Sequence, residues 1–133
     1  MTRIVARVSL VLLSLVVPAA AGERHLWVAV APPGLAEPLG PLVEHRRAEG
    51  FEARVVPGPV EEALAGAGRR PAFLVLVGDC LPVPDATPGG NHLPSVQRPL
   101  YRWQGRQKPE FAADAAYGDV DGDLFPDFPV GRI

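Results

Sequence analysis

The chain has 133 residues, one cysteine and a formal charge of −2 at pH 7, and 47% of its residues are hydrophobic. This length allows one modest domain. A single cysteine excludes an intramolecular disulfide framework and a zinc site built from several thiolates. The near-neutral charge excludes a broad basic surface for nucleic acid.

The first 21 residues have the pattern of a secretory signal peptide. Arg3 and Arg7 precede an apolar run at 8–17, and small residues at 19–21 form a cleavage site. The apolar run is shorter than the ~20 residues that span a bilayer. We therefore expect a secreted or periplasmic protein of residues 22–133, with a charge of −4 once the two arginines are removed and with no stable membrane span.

Apolar runs then alternate with amphipathic segments. The runs at 26–31, 51–56 and 72–77 have strand length, and the first and third are apolar throughout, which is typical of strands covered on both faces. The intervening segments predict one helix that begins near Pro41 and another over 60–67. This β-α-β-α-β order predicts an α/β fold with a parallel sheet and right-handed crossovers.

Six aromatic residues are assigned to two groups in this prediction. Trp27 and Phe73 lie in predicted strands and are expected to be core residues. Four other aromatic residues follow the third predicted strand, where they either line a pocket or pack a loop onto the sheet: Tyr101, Trp103, Phe111 and Tyr117.

A proline-rich segment at 78–100 has no hydrophobic period and predicts a long surface loop. Asp79 directly follows the third strand, where ligands bind in open parallel sheets, although its side chain can instead tie the loop to the backbone. Cys80 needs a histidine base to act as a nucleophile, and His92 is near in sequence. We favour a small, buried structural role for this cysteine.

Residues 119–127 form an acidic, glycine-containing turn. Its four carboxylates belong to Asp119, Asp121, Asp123 and Asp127. Carboxylates at alternate positions can converge on one hard cation, and Ca²⁺ takes six to eight oxygen ligands, although the spacing differs from that of an EF-hand. We predict that these four residues bind Ca²⁺. The alternative is a solvated acidic turn that leads into a short strand at 128–133.

Several motifs in a fixed order carry a family resemblance. They are Leu-Val-Gly-Asp at 76–79, Val-Pro at 83–84, Ala-Asp-Ala-Ala-Tyr-Gly-Asp at 113–119, Asp-Gly-Asp at 121–123 and Pro-Asp-Phe-Pro-Val-Gly-Arg-Ile at 126–133. Together they resemble the gingipain-type cysteine peptidases, which are secreted bacterial enzymes with a caspase-like fold. The preceding β-α-β-α pattern resembles the early, non-catalytic part of that fold.

The resemblance implies that residues 22–133 form the N-terminal subdomain of such a peptidase, an α/β, three-layer parallel-sheet (caspase-like or Rossmann-like) subdomain that is incomplete at its C-terminus. In that family the catalytic His and Cys follow the Gly-Arg segment, and no position here matches either. The chain is therefore expected to be a fragment of an endopeptidase that cleaves protein or peptide substrates. Asp79, Asp114 and Tyr117 are expected to be framework residues.

Two other functions stay open. The Asp-Val-Asp-Gly-Asp segment at 119–123 also resembles the calcium loops of integrin-type propellers. A calcium-binding adhesion or repeat module of that kind needs several all-β blades. A non-catalytic α/β binding domain, in contrast, would bind its ligand in the crevice above Asp79.

Overall fold

A four-stranded parallel sheet lies at the centre of the computed structural model, which describes residues 22–80, 90–99 and 110–133. The predicted signal peptide, part of the proline-rich loop at 81–89, and the segment 100–109 with Tyr101 and Trp103 lie outside the described residues. None of the helices in the described part of the chain is long and apolar enough to cross a membrane.

The elements follow the predicted order in the first half of the chain. They are β1 (Leu26–Val30), α1 (Pro33–Ala36), a first 3₁₀ helix (Glu37–Leu39), α2 (Gly40–Ala48), β2 (Glu52–Val56), α3 (Val60–Gly66), β3 (Phe73–Leu76), β4 (Gln97–Pro99), β5 (Glu110–Ala112), a second 3₁₀ helix (Asp114–Gly118) and β6 (Val130–Arg132).

The helical segment before β2 is longer than predicted. The sequence predicted a start near Pro41, and α2 begins one residue earlier, with Pro41 in its first turn, where a missing N–H removes no helical hydrogen bond. Helical turns already begin at Pro33, however, because each proline stands at the start of a short new helical piece. Three short helices thus follow one another, and each has a proline in its first turn, where proline is tolerated.

The sheet has the strand order β2-β1-β3-β6, with all neighbours parallel. The crossovers β1-α2-β2 and β2-α3-β3 run in opposite directions across the sheet, and their helices pack on opposite faces. This is the result when both crossovers have the same hand, as right-handed βαβ units do. The predicted α/β class with a parallel sheet between helical layers is confirmed.

One face of the sheet, which we call the α3 face, carries the larger buried cluster. Its strand residues Leu26, Val28, Val30, Leu74 and Leu76 are at most 1% exposed. Side chains from α3 pack against them, and so do Leu93 and Phe128 from the connection between β3 and β6. The hydrophobic burial of this cluster is the main source of stability for the described fold.

The opposite face, which we call the α2 face, is covered only in part. Trp27 is buried there as predicted, beneath Leu39 and Val43 of the helical segment. The prediction that Phe73 is a core residue is wrong, because its side chain is 41% exposed and contacts Phe51 edge-on, with ring centroids 5.7 Å apart. The apolar run around Phe73 fitted a fully covered strand, but on this face the helical segment packs over β1 and β2 and leaves Phe73 on β3 outside the cluster.

A small antiparallel pair of strands was not predicted: β4 lies in the segment 78–100 that was predicted as a loop, and β5 lies after that segment. Strands β4 and β5 pair from Gln97↔Ala112 to Pro99↔Glu110. The pairing was missed because each strand has only three residues and one contains a proline, and both features argue against a strand. The predicted strand at 128–133 is present as β6, with narrower bounds.

Gly78 permits the chain to turn tightly at the end of β3. Its φ is +115°, and a Cβ at this position would lie 2.6 Å from the carbonyl oxygen of Asn91. L-residues rarely adopt this φ, and the backbone of Asn91 cannot move aside without breaking its hydrogen bond from the N–H of Asp79, which is 2.9 Å long. Glycine is therefore required at this position.

We expect Gly78→Ala to lower the free energy of unfolding by about 2–4 kcal/mol, because it combines an unfavourable φ with a backbone clash. Gly66→Ala, in α3, is the matched control, since a Cβ there meets nothing within 4 Å. That control is expected to stabilise the chain by about 0.5 kcal/mol. Urea denaturation measures both, and equal effects of the two substitutions would contradict the argument.

Candidate functional site

The guanidinium of Arg132 connects four segments at the carboxyl edge of the sheet. Its Nε and one terminal nitrogen donate to the two carboxylate oxygens of Asp114, at 2.7 and 2.8 Å. The other terminal nitrogen donates to the carbonyl oxygens of Gly78, at 2.9 Å, and Leu93, at 2.8 Å. The end of β6 is thereby attached to the end of β3, to the following loop and to the second 3₁₀ helix.

The ion pair is partly shielded from water, since the side chains of Arg132 and Asp114 are 15% and 22% exposed. The hydrogen bonds from Arg132 hold the pKa of Asp114 below its ordinary value, against the opposing effect of burial, and a hydrogen bond from Ser95 acts in the same direction as Arg132. The same hydrogen bonds raise the pKa of Arg132. Both groups are therefore charged throughout the neutral range.

Tyr117 fixes the same region from the second 3₁₀ helix. Its hydroxyl donates to the carbonyl oxygen of Pro94 at 3.0 Å, and its ring packs against the cluster on the α3 face. Burial raises the pKa of Tyr117, and the charges of Glu61 and Asp114 add to this effect. The neutral hydroxyl is thus kept as a hydrogen-bond donor.

The crevice between the carboxyl ends of β1 and β3 is occupied by the chain itself. Asp79 and His92 form a parallel β-bridge, with hydrogen bonds of 2.9 Å from the N–H of Asp79 to Asn91 and from the N–H of Leu93 to Asp79. The side chain of Asn91 also approaches α1 at Gly34. In open α/β sheets this crevice, where the strand order reverses, is the usual ligand site.

Asp79 thus contributes to the framework through its backbone, as the family resemblance implied. Its side chain is exposed, and among the described residues no hydrogen bond reaches its carboxylate. The loop is attached to the sheet by main-chain pairing rather than by the side-chain cap that the sequence allowed.

Cys80 and His92 are not arranged as a nucleophile and base. Cys80 is half-buried, and its sulfur lies close enough to Arg132 to affect the pKa of that guanidinium. The Nδ1 atom of His92 is buried, and no hydrogen-bond partner for it occurs in the described part of the chain. A working pair needs a direct hydrogen bond between base and nucleophile, which these two residues do not form within the described ranges.

Three of the four predicted calcium ligands come together in the acidic turn. Asp119, Asp121 and Asp123 each offer a carboxylate oxygen, and these atoms lie within 4.8 Å of one another. The turn is shaped by its own backbone N–H groups: Gly122 and Leu124 donate to Asp119, at 2.8 and 3.1 Å. Such a cluster of carboxylates suits Ca²⁺ by ligand type, and Ca²⁺ binding stays a prediction.

Asp127, the fourth predicted ligand, has other partners. One of its oxygens accepts the N–H of Val120 at 2.9 Å, which closes the turn, and the other accepts a hydrogen bond from Arg70 at 2.8 Å. This pairing attaches the base of the acidic turn to the start of β3. Both oxygens are thus engaged.

A cavity of about 730 Å³ lies between the hairpin and the acidic turn. Phe111, Leu124 and a row of alanines line it, with Asp114 and Asp119 at its polar side. Those two carboxylates accept hydrogen bonds from Arg132 and from the acidic turn. Pocket lining and loop packing were both open for the aromatic residues after the third strand; Phe111 lines this cavity, whereas Tyr117 packs against the cluster on the α3 face.

The fold and this network define a class: an α/β unit with a parallel sheet whose carboxyl-edge loops are held by one half-buried arginine. The model of peptidase family C25, the gingipain family of cysteine peptidases, matches residues 60–133. This is more than half of the chain, and the chain belongs to that family. The resemblance inferred from the ordered motifs is confirmed.

Comparisons with curated proteins and with solved structures gave no significant match. The matched segment contains α3, β3, Asp114, Tyr117, the acidic turn and β6. The sequence alone identified the Gly-Arg segment as a motif but not its partner. The sequence offered one signal for this pair. An arginine ends the last predicted strand, and an aspartate lies 18 residues before it.

We expect Asp114→Asn to lower the free energy of unfolding at pH 7 by about 1.5–3 kcal/mol, because the amide cannot accept both charge-assisted hydrogen bonds from Arg132. The folded pKa of Asp114 lies below the ordinary 3.8, so its contribution is complete above the unfolded pKa and is lost as the pH falls through the folded pKa. Denaturation curves of the variant and the parent should therefore converge below pH 3.8.

The control for this prediction is Glu44→Gln, which removes an exposed ion pair with Arg47. An exposed pair contributes at most about 1 kcal/mol, and less at high salt. If the Asp114→Asn effect were as small as that of the control, or constant from pH 7 to pH 3, the role of the Arg132–Asp114 pair would be contradicted.

We expect saturating Ca²⁺ to raise the Tm of the chain relative to EDTA, since a ligand at 100 times its Kd adds about 2.7 kcal/mol to the stability of the folded state. Asp121→Asn should remove this increase, because it deletes one ligand of the cluster. Glu61→Gln, which neutralises an acidic residue on α3, should retain it. Equal Tm values in Ca²⁺ and EDTA would exclude the predicted site.

Proposed function

We propose that this chain is the N-terminal, non-catalytic subdomain of an exported gingipain-like cysteine endopeptidase with a caspase-like fold. We also propose that the Cys/His dyad of that enzyme lies in sequence after residue 133. The observation that carries the proposal is the match of peptidase family C25 to residues 60–133. In the family pattern, the Gly-Arg segment of β6 comes before both catalytic residues.

The geometry of the carboxyl edge supports a framework role for this part of the enzyme. Arg132, Asp114 and Tyr117 use their polar groups to hold loops in place, and the usual ligand crevice is filled by residues 91–93. A preorganised framework of this kind can hold a neighbouring active site rigid, which catalysis requires. The same occupied crevice argues against a binding domain that uses the space above Asp79.

The chemistry proposed for the complete enzyme is nucleophilic peptide cleavage. A thiolate from the later part of the sequence attacks the carbonyl carbon of the scissile peptide, and a histidine donates a proton to the leaving amine. Water then hydrolyses the thioester and regenerates the thiol. Cys80 takes no part in these steps, because no hydrogen bond connects it to His92 within the described ranges.

Export is supported by the sequence of the first 21 residues, with its arginines, short apolar run and small residues before Gly22. An extracellular or periplasmic location also suits the predicted Ca²⁺ site, since Ca²⁺ is abundant outside the cell. The adhesion-module alternative receives no support from the fold, because a parallel sheet with helices on both faces is not a propeller blade.

We expect the 133-residue chain to show no peptidase activity, and a longer product that includes the later part of the sequence to cleave peptides in a thiol-dependent manner. In that longer enzyme, Cys80→Ala should leave kcat/KM within about twofold, whereas replacement of the later strand-terminal cysteine should abolish activity. Fluorogenic peptide assays measure both. Thiol-sensitive cleavage by the 133-residue chain that Cys80→Ala abolishes would overturn the proposal.

A further inference from the structure

We draw no further inference here: the strongest candidate, the cavity that Phe111 and Leu124 line beside the acidic turn, is a largely apolar groove, and nothing in the described part of the chain shows what covers it.

Discussion

The hydrogen bonds of the Arg132 guanidinium determine how the carboxyl edge of the sheet is arranged. Five N–H donors in one plane impose fixed directions on their acceptors. The carboxylate of Asp114 and the carbonyl oxygens of Gly78 and Leu93 must therefore arrive at set positions. These acceptors lie at the end of β3, in the following loop and in the second 3₁₀ helix. One side chain therefore connects segments that are distant in sequence, and Arg132 and Gly78 are 54 residues apart.

The neighbouring features depend on the same arrangement. Attachment of the loop at Leu93 places residues 91–93 beside Asp79, where they fill the crevice in which a parallel sheet usually binds ligands. Attachment of the second 3₁₀ helix at Asp114 orients Tyr117 toward Pro94 and fixes the start of the acidic turn at Asp119. The polar groups at this edge of the sheet are thus engaged with one another, which makes the edge a rigid framework.

The two faces of the sheet differ for a topological reason. The chain crosses once toward β2 and twice toward β6, so with a constant handedness the described residues of the later connections pack on the α3 face, and those of the first crossover pack on the α2 face over β1 and β2. Phe73 lies on β3, outside the part of the α2 face that the first crossover covers, and it is therefore exposed.

The sequence by itself determined the α/β class, the three main strands, both crossover helices and the family, because apolar runs of strand length and ordered short motifs depend on local residues. Only the tertiary structure decided that Phe73 is exposed, that Asp127 pairs with Arg70 rather than joining the acidic cluster, and that Arg132 binds Asp114. The physical reason is that a strand pattern records how apolar a residue is, whereas exposure and ion pairing depend on which distant segment packs against it.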